Sequence, residues 1–226
     1  MYLKLLKILS WVLLLFGASA CIQDNLNYVV HSRGHLVRQL EKLEAKNNRF
    51  YNYAKGRLTA IDRLVNQGNE GFQSTPRKWN NYILKIKYEY ESFRQELNAV
   101  EFKSKDFFIN MNKVVKHIAQ ADIRKKEMET HSLIKKNWNS NHKSIVQKLD
   151  SINCMIEVTF PDFHKILLGS NMHGKKKYSV EFSRLLLDEL EDIHRFIKIA
   201  IEKQRKLILD TELEEPKTTK KEAQTT

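Results

Sequence analysis

Along most of this chain the apolar residues recur at steps of three and four, the spacing that lines one face of an α-helix. From Asn25 to Gln67 a stripe runs through Leu26, Val29, Val30, Leu36, Val37, Leu40, Leu43, Phe50, Tyr51, Ala54, Leu58, Ile61, Leu64 and Val65. It is interrupted at Arg33 and Asn47, and it predicts one long helix. Gly34 is the weak point, where such a helix can bend. Gly68 to Pro76 then reads as a loop, with Thr75 capping the next helix and Pro76 in its first position. Beyond it Trp79, Ile83, Ile86, Tyr90, Phe93, Leu97 and Val100 alternate four- and three-residue steps. That heptad seam predicts a closely paired helix and says nothing about chemistry.

The second half is less regular. Lys103 to Asp106 reads as a soft boundary, with Ser104 capping a third helix that carries Phe107, Met111, Val114 and Ile118. From Ala119 to His131 apolar residues thin out, so this part is expected to protrude or be solvated. Asn137, Asn139 and Asn141 suggest a break, because asparagine side chains compete for backbone hydrogen bonds. A fourth helix carries Ile145, Leu149, Ile152 and Ile156 and is expected to end before Pro161. Residues 162–168 read as a short helical turn, and Gly169 to Lys177 as the longest loop of this half. Ser179 is expected to cap a last helix carrying Phe182, Leu186, Leu190, Ile193, Ile197, Ala200 and Leu207. Leu185, Leu187, Phe196 and Ile201 widen its apolar face. No β-hairpin signal and no fixed-period repeat is present. The pattern predicts an all-α chain, an elongated antiparallel helical bundle with coiled-coil-like helix pairs.

Composition supports long helices: 226 residues contain only 7 glycines and 3 prolines. Charged residues make up 29% and alternate in sign, as on solvated helix faces. The net charge of +12 favours anionic partners. Residues 211–226 are rich in Glu, Lys and Thr and read as a disordered tail.

The first 20 residues follow a different rule. Lys4 and Lys7 precede Ile8–Phe16, an almost wholly apolar run, and Gly17-Ala18-Ser19-Ala20-Cys21 follows. Charge, apolar run and small residues form the order of an export signal. The apolar run is shorter than the roughly 20 residues that span a bilayer, which favours a processed signal over a permanent helix. Ala18-Ser19-Ala20 also fits an ordinary signal-peptidase site, which would leave a soluble secreted chain beginning at an unmodified Cys21.

Ser19-Ala20-Cys21 resembles the lipobox of bacterial lipoproteins, with Ala18 standing where leucine is usual. The resemblance covers residues 1–21 alone. It implies cleavage between Ala20 and Cys21, and a thioether-linked diacylglycerol, with palmitate-type acylation, on Cys21. Since Ile22 rather than Asp follows Cys21, it implies the outer membrane if the cell is Gram-negative. The expected organisation is signal peptide 1–20, lipidated N-terminus and short tether 21–24, helical domain 25–210 and tail 211–226.

The candidate chemistry is sparse. Lys175, Lys176 and Lys177 form the sharpest run of charge, an expected exposed loop that could meet anionic lipid or a glycan polymer. Cys154 lies in an apolar helical setting and reads as a small buried hydrophobe, although pairing with an unlipidated Cys21 stays open. His31 and His35 share a helix face but form an incomplete metal-ligand set. Glu191 and His194 have the Glu-x-x-His spacing of di-iron bundles, without the second such motif those require. No phosphate loop, zinc-protease motif or nucleophile elbow occurs. The sequence therefore predicts no catalytic residue, no metal, no cofactor and no nucleic-acid partner. The expected function is an envelope-anchored helical lipoprotein that binds an envelope protein or polymer, or has a structural role. The alternatives are a structural membrane protein held by an uncleaved N-terminal helix, and an extracytoplasmic enzyme or metal-binding protein of unfamiliar type.

Overall fold

A computed structural model describes the backbone of residues 2–67, 69–173 and 176–210, and the side chains of 26–67, 72–173 and 176–210. The chain is an all-α bundle of four long helical rods. Helix α1 spans Tyr2–Asn66, α2 Asn69–Lys116, α3 Ala121–Cys154, α4 Phe160–His173 and α5 Lys176–Leu209. A π-helical turn, Met155–Thr159, joins α3 to α4, so these two form one rod.

Side-chain pairs set the directions. Lys46 Nζ meets Ser92 Oγ at 2.8 Å and Arg49 meets Glu89, while Gln39 reaches Glu96 further back, so α1 and α2 are antiparallel. Tyr90 Oη donates to the Leu149 carbonyl at 3.3 Å, and Lys87 pairs with Glu157, which runs α3 antiparallel to α2. Asn47 Nδ2 donates to the His194 carbonyl at 3.3 Å and Ser183 lies beside Asp62, which runs α5 antiparallel to α1. The α1–α2 and α4–α5 connections therefore share one end of the bundle. The α2–α3 connection and Leu26 share the other.

The heptad seam of α2 holds, with Trp79, Ile86, Tyr90, Phe93, Leu97 and Val100 all buried. It also continues through Ser104, Phe107 and Met111, so the expected boundary at Lys103–Asp106 does not exist. Ser104 is a seam residue, 5% exposed, and its hydroxyl bonds the Glu101 carbonyl within the helix. Likewise α3 runs unbroken through Asn137, Asn139 and Asn141, which are exposed or half-buried, while Trp138 between them is 1% exposed. One deeply buried indole outweighs three weak helix formers.

The two proline sites also differ from expectation. Helix α2 begins at Asn69 and passes through Pro76. Proline offers no N–H to the carbonyl four residues back, here that of Phe72. Thr75 Oγ1 donates to that same carbonyl at 2.6 Å, so Thr75 repairs the ladder within the helix and does not cap it. Pro161 sits in the first turn of α4, just after the π-helical turn, where the Phe160 N–H reaches back to the Met155 carbonyl. The wider turn lets the rod pass the proline.

Helix α5 buries Leu186, Leu190, Ile193, Ile197, Ala200 and Ile201 as expected. Leu185 and Phe196 face outward, Phe196 lying beneath the Lys148 ammonium. Ser179 is no cap: α5 starts at Lys176 and Ser179 is 1% exposed. Arg205 pairs with Glu44, so α5 stops about one turn later, near the level of Leu40. Residues 26–39 of α1, about 20 Å of helix, have α2 but no α5 alongside. The first turns of α3 project past α5 in the same way. This is why residues 121–130 carry so few apolar side chains and none that is buried.

Candidate functional site

Basic residues gather at both ends of the bundle. At the α4–α5 end, Lys175 lies outside the described residues. Lys176 is half-buried, with its ammonium 5.3 Å from the centre of the Phe72 ring. Lys177 approaches Glu181 at 3.6 Å. Gly169–His173 belongs to α4, and only positions 174 and 175 separate it from α5. The expected three-lysine loop is helical at Lys176 and Lys177: Lys176 is half-buried on an aromatic ring, while Lys177 is exposed, as expected, and approaches Glu181 along its own helix.

At the α2–α3 end, Lys113, Lys116, Lys125 and Lys126 are exposed, and among the described residues none is ion-paired. Arg124 is half-buried and donates to the Ile118 carbonyl at 3.1 Å, tying the connection to α3. Asp122, Glu127 and Glu129 are the carboxylates of this stretch. Ile123 and Met128 stand nearly half exposed beside them. Ala121, Arg124, Lys125, Met128, Glu129 and Ser132 line an open hollow of about 480 Å³ along α3. Sequence reading missed this cluster because its charges lie in two helices, on either side of a connection. The run at 175–177 is contiguous and drew attention for that reason.

The histidine candidates make hydrogen bonds and ring contacts within the bundle. His31 and His35 bring their Nε2 atoms to 2.8 Å, and the Arg38 guanidinium donates to His35 Nδ1 at 3.1 Å. With Nδ1 accepting, the proton of neutral His35 sits on Nε2 and is donated to His31. A metal would need the lone pair that this proton occupies. Burial, then His31, Arg38 and Lys103 hold the His35 pKa below the ordinary histidine range. His194 stacks on Tyr51, ring centres 4.1 Å apart, while Glu191 approaches Lys55 and Arg195. Among the described residues no three His, Cys, Asp or Glu side chains gather where a metal ion could be held.

Cys154 is exposed, not buried. It sits at the last position of α3, before the π-helical turn, where the seam residues Ile152 and Met155 point inward. The side chains of Ala20 and Cys21 lie outside the described residues. Helix α1 continues from the bundle back to Tyr2. Among the described residues no helix is long and apolar enough to cross a membrane. Neither a protein-family model, nor a curated protein, nor a solved structure matches this chain.

Proposed function

We propose that the protein is an envelope-anchored helical lipoprotein, held by lipid on Cys21, that serves as a non-enzymatic structural or binding module. The observation that carries this reading is the order of the first 21 residues: Lys4 and Lys7, the apolar run Ile8–Phe16, then Ala18-Ser19-Ala20-Cys21. A diacylglyceryl anchor with a further acyl chain meets the two-signal requirement for stable membrane attachment.

In this reading the bundle stands away from the bilayer and presents its far end to an envelope protein or glycan polymer. From Leu26 to Asn66 is 41 residues of helix, about 60 Å. Lys176 and Lys177, near the level of Asn66, are then too far away to meet the headgroups of the anchoring membrane. What they could meet is a partner at the distal end.

A second reading has one observation in its favour. Helix α1 is continuous from Tyr2 through position 21, as an uncleaved anchor would be. Metabolic labelling with a fatty-acid analogue, comparing the parent with Cys21→Ser, separates the two. The lipoprotein reading expects label in the parent alone and accumulation of unprocessed precursor in the variant. Equal processing and labelling would contradict it.

A further inference from the structure

We infer that the α2–α3 end of the bundle, with Lys113, Lys116, Lys125 and Lys126 around the exposed Ile123 and Met128, lies against an anionic membrane surface. This deepens the anchored reading and rests on it.

The first observation is position. Cys21 is five residues before Leu26, at most about 18 Å of chain in any conformation. Residues 26–30 lie near the C-terminal turns of α2 by the register that pairs Arg49 with Glu89 and Lys46 with Ser92. Whatever holds Cys21 at a bilayer therefore also brings Lys116 and the α2–α3 connection to its surface.

The second observation is charge. The four lysines have no carboxylate partner among the described residues, and in this they are like the exposed Arg63, Arg77 and Lys78 of the other end. Lys113, Lys116, Arg124, Lys125 and Lys126 outnumber the carboxylates Asp122, Glu127 and Glu129 of the same stretch, a balance that favours a surface of phosphate headgroups. The third observation is the exposure of α3 itself. Residues 121–130 have no buried member, so this helical segment gains nothing from the core. Ile123 and Met128, 48% and 46% exposed, can reach the boundary between headgroups and acyl chains. The lysine stems can lie along the same boundary.

The test uses the full chain carrying Cys21→Ser and Cys154→Ser, so that no lipid is attached and no other thiol competes for label. A fluorophore is placed through Met128→Cys or, at the opposite end, Met172→Cys, which replaces a side chain 81% exposed. Each protein is mixed with vesicles of phosphatidylcholine, alone or with about a third phosphatidylglycerol, containing a headgroup-linked quencher. The expected result is quenching at position 128 several-fold above that at 172 on the anionic vesicles. It should fall to the phosphatidylcholine level in 1 M salt, where the Debye length is about 3 Å. It should fall equally when Lys113, Lys116, Lys125 and Lys126 are all changed to Gln, with helicity by circular dichroism unchanged. Equal quenching at the two positions, or quenching that survives the four substitutions, overturns the inference. Because the protein tested has no lipid, quenching that persists when native Cys21 proves unmodified would remove the lipoprotein reading and leave this surface standing.

Discussion

The Thr75 hydroxyl occupies the place of a backbone donor that Pro76 cannot supply, and this makes a coupled prediction. Thr75→Val should cost about 1–2 kcal/mol, because it leaves the buried Phe72 carbonyl without a partner. Adding Pro76→Ala to that variant should recover most of the loss, since the new N–H can bond the same carbonyl. Urea unfolding of the single and double variants measures the coupling. Gln204 poses the opposite case. It is fully buried on α5, and neither amide atom has a hydrogen-bond partner. Gln204→Met, of similar volume, should therefore raise stability by about 1–3 kcal/mol. A loss would mean that the amide makes bonds this account lacks. His131, His142 and His194 add a pH dependence. Burial is the largest cause holding each below the ordinary histidine pKa of 6.5. Their neutral forms suit the fold, so the unfolded chain takes up protons first as pH falls. Their contribution is complete above the ordinary histidine range and is lost as pH drops through 6.5 toward the folded-state values. Thermal unfolding at pH 5 should begin at a lower temperature than at pH 7.5. Replacing His142 with Gln should flatten that dependence.

At the scale of helices, the seams carry the fold. Phe93 is fully buried on α2 and Phe102, nine residues on, is 61% exposed. Phe93→Ala should cost about 3–5 kcal/mol, and Phe102→Ala less than about 0.5 kcal/mol, in denaturant midpoints. Comparable losses would put the register of α2 in error. The all-α architecture and the buried face of each rod were legible because leucine, isoleucine and aromatic residues mark the three-four steps plainly. The ends of the rods were not. Each false boundary fell where a polar residue or a proline occupies the helix: Thr75 and Pro76, Ser104, Ser179, and the asparagines flanking Trp138. A count of apolar residues treats a small buried serine as a gap. The structure treats it as a seam position: Ser104 bonds the Glu101 carbonyl and Ser183 the Val180 carbonyl of its own helix, while Ser179 is buried without a hydrogen-bond partner. Asn47 is the same kind of case, 1% exposed in the α1 stripe with its amide on the His194 carbonyl. Polar seam residues of this kind fix register at some cost in stability.

At the scale of the whole molecule, the bundle has two unlike ends, and the anchored reading gives each a task. The end nearest Cys21 carries unpaired lysines and exposed apolar side chains. The end about 60 Å away carries Lys176 against Phe72 and Lys177 beside Glu181. Changing Lys176 and Lys177 to Gln should leave attachment to anionic vesicles unchanged. It should lower stability by about 0.5–1 kcal/mol through loss of the cation–ring contact. Vesicle flotation and urea unfolding read the two effects separately. A contiguous lysine run was visible in the sequence, but its distance from the attachment point depends on how the rods fold back, which no local pattern records. The anchored reading itself turns on Cys21. The most direct measurement is the mass of the N-terminal peptide from protein extracted out of membranes. The expected result is a chain that begins at Cys21 and carries a diacylglyceryl group. A peptide that begins at Met1, or an unmodified Cys21 at the N-terminus, would contradict it.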